Sequence, residues 1–518
     1  MQKSTDTDDL NYWEERADDI SDEHLSNWTA QTEEFKKLVK KVERPGAILF
    51  EGPRGSGKTH LFRYTYNQCI ASKRKPLPIY VSFGKYYFLE PLLNKKANAR
   101  KIFHTWVLCK IILGLEETLE KLSGDDKQSE SWFSQEELED ISYFKNNAEK
   151  GDYISNEISE KVLREIHIDG VMSRIKEIIR FAGRKRAILL LDDAALTFTP
   201  EYLPEFFDIF RNLKSTKISP KGTVYSGSTE YGPRFHIGQD AKIETIWEID
   251  SEGNNRLLQQ IAEVRLKHFS SKISENILKL MMKASFGIPR AFINMVNIYS
   301  ETEGSKQVGF NTLINNQVIF LRTEYRTLSQ KMPQFESIIK IGEQLFEKVL
   351  DILTNANLEL SDTTFKQILI GFENSSKKDL LMERMLRFLV EAGLLFPIGD
   401  VRHGPNRVYE RYIPHLAFLI NKQAFSRKNR RFNVDQILEI LERSNAKHPE
   451  WTSLEKILGK ELLKDIKLIL PPCSNCNARR LTETQKFCHE CGDELVNESK
   501  FKKCMEIPFS QVPSIPKR

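Results

Sequence analysis

The chain has 518 residues, of which 40% are hydrophobic, and a formal charge of +5. That length admits about three or four domains, and no apolar run reaches the roughly 20 residues that a membrane-spanning helix needs. A polar, acidic start gives no sign of a secretory leader, which points to the cytoplasm and to no membrane partner.

The distribution of charge says more than its sum. Residues 1–25 carry nine Asp or Glu against Lys3 and Arg16, whereas 422–431 carry Lys422, Arg427, Lys428, Arg430 and Arg431 with no acid. We take 1–28 as an acidic N-terminal segment. Residues 29–43 then set Phe35, Leu38, Val39 and Val42 among Lys and Glu, the spacing of an amphipathic helix. A strand is expected at Ala47–Phe50. It runs into Gly52-Pro53-Arg54-Gly55-Ser56-Gly57-Lys58-Thr59, and His60-Leu61-Phe62-Arg63-Tyr64 opens a helix.

Strand, glycine loop, Lys-Thr and helix is the order that a phosphate cradle requires. Glycines let backbone N–H groups turn inward around a triphosphate, and the helix N-terminus adds partial positive charge. Residues Gly52 to His60 are therefore the candidate ATP-binding segment. Lys58 reaches the β- and γ-phosphates, and the Thr59 hydroxyl holds Mg²⁺.

Four more strands are expected, at Pro78–Phe83, Ala187–Leu191, Thr223–Ser226 and Thr245–Ile249. Unbroken apolar strands alternating with helices predict an α/β core over 29–250, with a parallel sheet covered on both faces. Residues 123–152 are polar and acidic, and read equally as an inserted helix pair or as a surface loop. The third strand ends in Asp192-Asp193, at the sheet edge where open α/β sheets bind ligands. Asp192 is placed to hold Mg²⁺ through water, and Asp193 to orient an attacking water. Ser226 or Ser228, beyond the fourth strand, can touch the γ-phosphate or serve the turn alone. Arg234, in Gly232-Pro233-Arg234-Phe235, can point into a neighbouring subunit's nucleotide or lie on a surface turn. Arg290, in Gly287-Ile288-Pro289-Arg290, can reach the phosphates from a helical lid at 251–335 or form a surface ion pair.

Residues 336–432 suggest three helices, at 341–355, 361–370 and 378–392, with Ser361 capping the second. Gly393–Phe396 and Val408–Tyr412 then flank a turn at 402–407. Three helices and a hairpin describe a winged helix-turn-helix. Lys377, Lys378, Arg402 and Arg407 join the basic run 422–431 as one candidate phosphate-tracking face for double-stranded DNA, although such modules also dock proteins. Helices at 433–444 and 452–469, the latter with Thr452 and Glu455 at capping-box spacing, form a linker over 433–470.

Of seven cysteines, four make two pairs near the end. Cys473-x₂-Cys476, eleven residues, then Cys488-x₂-Cys491-Gly492 is a zinc-ribbon spacing over 471–496, with a tail at 497–518. Four thiolates close a tetrahedral Zn²⁺ shell, so this metal is structural. His489 is a spare donor inside the second pair, and Arg479 and Arg480 are available to DNA or a protein.

With these motifs in this order, residues 29–420 resemble an AAA+ ATPase, and more narrowly the origin-recognition-type initiators and their prokaryotic relatives. The resemblance implies a five-stranded core in the order 5-1-4-3-2, a helical lid and a nucleotide between them. It places Ser226 near the family's first sensor, Arg290 at its second sensor and Arg234 near its arginine finger, and it implies a homo-oligomer. The Asp-Asp pair departs from the usual Asp-Glu and is similar to the STAND branch of signalling ATPases, which implies slow or stimulated hydrolysis. Such ATPases accompany effector proteins in prokaryotic defence or mobile-element systems. The competing readings are a replication-initiator-like or transposition-regulator DNA-binding ATPase, and a scaffold that keeps ATP as a structural ligand.

Overall fold

The computed structural model describes residues 13–14, 16–84, 98–123, 133–150, 155–197, 202–249, 256–270, 272–301, 306–360, 366–373, 380–404, 407–425, 434–443, 450–467, 473, 475–476, 487–488 and 490–495. The chain divides into two compact units. One comprises 1–250, 254–274 and 287–300, and the other 251–253, 275–286 and 301–518. The expected lid, 251–335, is thus shared between them: Arg256–Val264, Lys267–Ser270 and Pro289–Ser300 lie in the first unit, Glu275–Ala284 and Lys306–Lys331 in the second.

The first unit is built on five parallel strands, β1 (Ile48–Glu51), β2 (Leu77–Ser82), β3 (Ala187–Asp192), β4 (Ile218–Val224) and β5 (Lys242–Thr245). Their order is β2-β3-β4-β1-β5, which is the order the family resemblance implies. β3 is buried along its whole length, so both of its faces need cover. Leu189 and Leu191 enter one core with Leu49, Ile79 and Val81. Ile188 and Leu190 alternate onto the other face, where Phe50 meets Leu61 and Phe62 of the Lys58–Ile70 helix. Each such fully buried Leu or Phe is worth about 1.5–3 kcal/mol.

Two strands differ from expectation. β4 begins at Ile218 and stops at Val224, so Ser226 lies in the turn beyond it. Polar Ser219, Lys221 and Thr223 disguise the strand, yet all three are buried. Lys221 is accommodated because its ammonium donates to the carbonyls of Arg44 (2.9 Å) and Gly46 (2.6 Å), just past the C-terminus of the Glu33–Glu43 helix. β5 lies at Lys242–Thr245 rather than 245–249, because an edge strand needs no apolar run. Its Glu244 pairs with Lys41 at 2.6 Å. The described part of the acidic insertion is a packed helix, Gln135–Glu149, capped by Ser134 and burying Ile141, Phe144 and Ala148.

In the second unit, β6 (Ile370–Glu373), β7 (Leu395–Arg402), β8 (Val408–Pro414) and β9 (Glu450–Thr452) form a sheet ordered β7-β8-β6-β9. The helices Glu336–Glu359 and Leu380–Glu391 and the β7–β8 hairpin match the expected plan. The middle helix expected at 361–370 is contradicted at its end, where Ile370 starts a strand. Asn357 stops the helix before it, since its side chain accepts from the Gln367 N–H and donates to the Gln367 carbonyl. Ser361 lies outside the described residues. The stretch expected as a helical linker supplies β9, which pairs with β6. The following helix, Leu454–Lys464, is capped by Ser453 rather than Thr452 and broken at Gly459. Among the described residues no helix is long and apolar enough to cross a membrane.

The helix that opens the phosphate loop is fixed at its far end by one buried cation. Arg184 donates to the carbonyls of Cys69 (3.1 Å), Lys75 (2.9 Å) and Ser72, answering acceptors that the helix C-terminus leaves open. Arg184→Ala is expected to destabilise this unit by about 2–4 kcal/mol, read as a lower denaturation midpoint, since charge-assisted bonds to buried carbonyls are lost.

Candidate nucleotide and metal sites

β1 ends at Glu51, and the chain turns through Gly52–Gly57 into the Lys58–Ile70 helix. Gly55 (φ +78°) and Gly57 (φ +95°) occupy the left-handed region that only glycine enters without strain. Such a turn directs successive N–H groups to one concave side. A Cβ on Gly55 would lie 2.7 Å from Arg290 Cβ. Gly55 therefore also makes room for the Pro289–Ser300 helix, whose Arg290 N–H donates to the Gly55 carbonyl at 3.3 Å. The loop is closed by Ser56 Oγ on the Pro53 carbonyl at 2.8 Å, with Arg54 half-buried beside it. Buried Lys58 donates to the carbonyls of Gly52 (2.6 Å) and Pro53 (3.0 Å), and its ammonium lies 3.9 Å from the centre of the Tyr225 ring.

Asp192 is fully buried at the C-terminal end of β3. Its Oδ1 accepts from Thr223 Oγ1 (2.8 Å) and from the Asp193 N–H (3.0 Å), and its Oδ2 from the Tyr80 hydroxyl (3.2 Å). The Thr59 hydroxyl lies close enough to the same carboxylate to act on its pKa. Burial still pushes the Asp192 carboxyl above its ordinary range, against the pull of Thr223 and Thr59. Asp193 is half-buried with φ +59°, a left-handed conformation that Asp tolerates better than most residues. Burial, then the charges of Asp192 and Asp18, push its carboxyl up to about 7, opposed by Lys58 and Arg290.

The structure thus brings Lys58, Thr59, Asp192, Asp193 and Arg290 together at the mouth of β1. His60 is turned elsewhere: its Nε2 lies 2.8 Å from Thr29 Oγ1, and burial, with Arg265 and Arg63 nearby, pushes its pKa down to about 4. Ser226 sits half-buried in a turn closed by the Tyr225 N–H on Thr229 Oγ1 at 2.9 Å. Arg234 is 73% exposed and pairs at 2.7 Å with Asp208, which lies on the Leu203–Asn212 helix. Thr223, Tyr80, Tyr225 and Asp18 are participants that sequence reasoning missed. Thr223 had a usable signal, since a hydroxyl one residue from a strand end lands beside the neighbouring strand's terminal acid.

The loop and acid pair fit a triphosphate with Mg²⁺: the glycines leave the backbone accessible, a lysine stands at the loop, and Thr59 and Asp192 already converge. Near the C-terminus, the Sγ atoms of Cys473, Cys476, Cys488 and Cys491 all lie within 4.8 Å of one another. A tetrahedron with Zn–S of about 2.3 Å has sulfur–sulfur edges of about 3.8 Å, so the donor set fits Zn²⁺. Gly492 (φ +77°) turns the second knuckle, with its N–H on the Cys488 carbonyl at 2.9 Å. Backbone N–H groups of Cys491 and Glu490 hold the Cys488 thiol down to about 6. His489, Arg479 and Arg480 lie outside the described residues. So do Lys377, Lys378, Arg427, Lys428, Arg430 and Arg431. Lys422 is paired with Asp351 (2.6 Å) and Glu347 (3.3 Å), while Arg402 and Arg407 are exposed on the hairpin.

Comparison with known proteins gives a family match, described as ORC-CDC6-like, over residues 13–89. Among solved structures, the Walker-type ATPase PABY2304 of Pyrococcus abyssi is similar at 13% identity and a TM-score of 0.40, over 75% of this chain and 95% of that one. The structure of Drosophila ORC bound to DNA is similar at 10% identity and a TM-score of 0.22, over 75% and 92% of the respective chains. No curated protein matches the sequence. The matched segment carries the phosphate loop, and it lies in the unit whose sheet has the order β2-β3-β4-β1-β5, the order implied by the resemblance to origin-recognition-type AAA+ ATPases.

Proposed function

We propose that the protein is an ATP-binding, slowly hydrolysing AAA+ switch that assembles with copies of itself. The observation that carries this reading is the meeting of Thr59 with Asp192 beside the glycine loop and Lys58. In it the loop N–H groups and Lys58 hold the phosphates, while Thr59 and Asp192 hold Mg²⁺, Asp192 through water. The ion supplies charge neutralisation at the transferring phosphoryl group. Asp193 orients the attacking water, Arg290 adds positive charge from the adjoining helix, and Arg234 reaches a neighbouring copy's nucleotide. Ser226 is the polar group beyond β4.

The output belongs to the second unit. We read its helices and hairpin as a winged helix and its four cysteines as a zinc ribbon, engaging double-stranded DNA or an effector protein, with prokaryotic defence or a mobile element as the setting. The alternative for the same modules is a replication-initiator-like or transposition-regulator DNA-binding ATPase.

Three measurements check this reading. Calorimetric titration with Mg–ATP should give heat and a thermal upshift, worth about 2.7 kcal/mol at a hundredfold excess over Kd. Both should vanish in Lys58→Ala with the fold retained. A wild-type protein that shows neither is no ATP switch.

The second concerns Asp193. Its folded pKa, about 7, lies above the ordinary 3.8. The stability it contributes is therefore fully present below about pH 4 and is lost as pH rises through 7. The nucleotide-free protein should melt at a lower temperature at pH 8 than at pH 6, with a smaller difference in Asp193→Asn, and ATP turnover should rise over the same interval.

The third concerns the metal. One Zn²⁺ per chain should be released by chelator and lost in Cys473→Ser, with the N-terminal unit's nucleotide binding unchanged.

A further inference from the structure

The acidic N-terminal segment reaches the nucleotide site. Its single turn Ala17–Asp19 is held by Arg63 of the Lys58–Ile70 helix. The guanidinium donates to the carbonyls of Ala17 and Ile20 (2.8 Å) and pairs with Asp22 at 2.9 Å. This anchor delivers Asp18 to Tyr80. The Tyr80 hydroxyl lies 3.3 Å from Asp18 Oδ1 and 3.2 Å from Asp192 Oδ2. A phenol has one proton and cannot donate fully to two carboxylates. Asp192 already receives the Thr223 hydroxyl and the Asp193 N–H. Asp18 is near enough to act electrostatically on both Asp192 and Asp193.

We propose that Tyr80 is a positioning residue for Asp192, and that Asp18, carried in by the N-terminal turn, sets how strongly nucleotide binding depends on Mg²⁺. The inference rests on reading this site as a Mg–ATP site. Three carboxylates there face two cations, Lys58 and Arg290. A triphosphate adds further negative charge, which a divalent ion offsets. Each carboxylate therefore penalises metal-free ATP more than Mg–ATP. The Asp18 charge contributes to this discrimination, and Tyr80 transmits its position to Asp192.

The test is calorimetry on the full-length protein with ATP in EDTA and with ATP in Mg²⁺, giving the ratio of the dissociation constant in EDTA to that in Mg²⁺. Asp18→Asn should lower that ratio by about three- to tenfold, the size of one partly screened charge at this range. Tyr80→Phe should lower it in the same direction while leaving the melting temperature close to wild type. Asp19→Asn is the control: it removes the same charge one residue away, from a carboxylate that is not among the partners of Tyr80, and should change the ratio by less than about twofold. Asp18 is exposed, so that variant folds even if Tyr80→Phe does not. An unchanged ratio in Asp18→Asn, or an equal fall in Asp19→Asn, would overturn the inference while the ATP site stands. A wild type that binds no Mg–ATP would remove the site and this inference with it, an outcome recognised by the absence of heat in the unmutated protein.

Discussion

A fully buried carboxylate keeps a negative charge only where its lone pairs are answered by donors. Asp192 is that group here. Its donors come from three places, Tyr80 on β2, the Asp193 backbone and Thr223 on β4, and the Thr59 hydroxyl of the phosphate-loop helix acts on it as well. One side chain thereby ties the C-terminal ends of neighbouring strands to the glycine loop. The left-handed backbone at Asp193 turns the chain directly after the N–H that donates to the Asp192 carboxylate. The Asp193 N–H also reaches Thr223 Oγ1 at 3.0 Å, so the contacts interlock and none moves alone.

The opposite edge of the sheet inverts the charge. Helices run antiparallel to the strands they cover, so their negative ends gather there. Arg184 answers the carbonyls past the Lys58–Ile70 helix and Lys221 those past Glu33–Glu43. Burial, then Arg186 nearby, pushes Lys221 down to about 7. Cations seal one edge and acids line the other. A ligand that combines an anion with a divalent cation is suited to the acidic edge only because a helix N-terminus and Lys58 share it.

What could be read from the sequence follows from how local each signal is. The phosphate loop, β1 and β3 were legible because glycine spacing and unbroken aliphatic runs are local. Strand order came from the family resemblance, and the observed order agrees with it. β4 was misplaced because Lys221 and Ser219 look exposed until their backbone partners are known. β5 was misplaced because an edge strand carries Lys242 and Glu244 rather than an apolar run. The strand at Ile370 was mistaken for helix because short aliphatic stretches suit either period, and the arbiter, Asn357 bonding Gln367, is a tertiary contact. In the site, Asp192 and Lys58 announced themselves by position. Tyr80 and Asp18 did not, since an aromatic in a buried strand and one acid among many carry no pattern.

The Asp-Asp pair bears on turnover through charge as much as through reach. Under the proposed reading Asp193 must accept a proton from water, yet its surroundings hold its own proton to about pH 7. A base whose pKa lies near the working pH is about half ionised there, and its ionised form takes up a proton more readily than an ordinary carboxylate. The groups that pull the other way are both cations, Lys58 and Arg290. Under the proposed reading a further positive charge at the site, such as a neighbouring copy's Arg234, would lower the Asp193 pKa, so that more of it is ionised and each ionised group is a weaker base. The charge around Asp193 therefore sets the pH range over which hydrolysis switches on in this reading, while the reach of its shorter side chain sets how well the water is held.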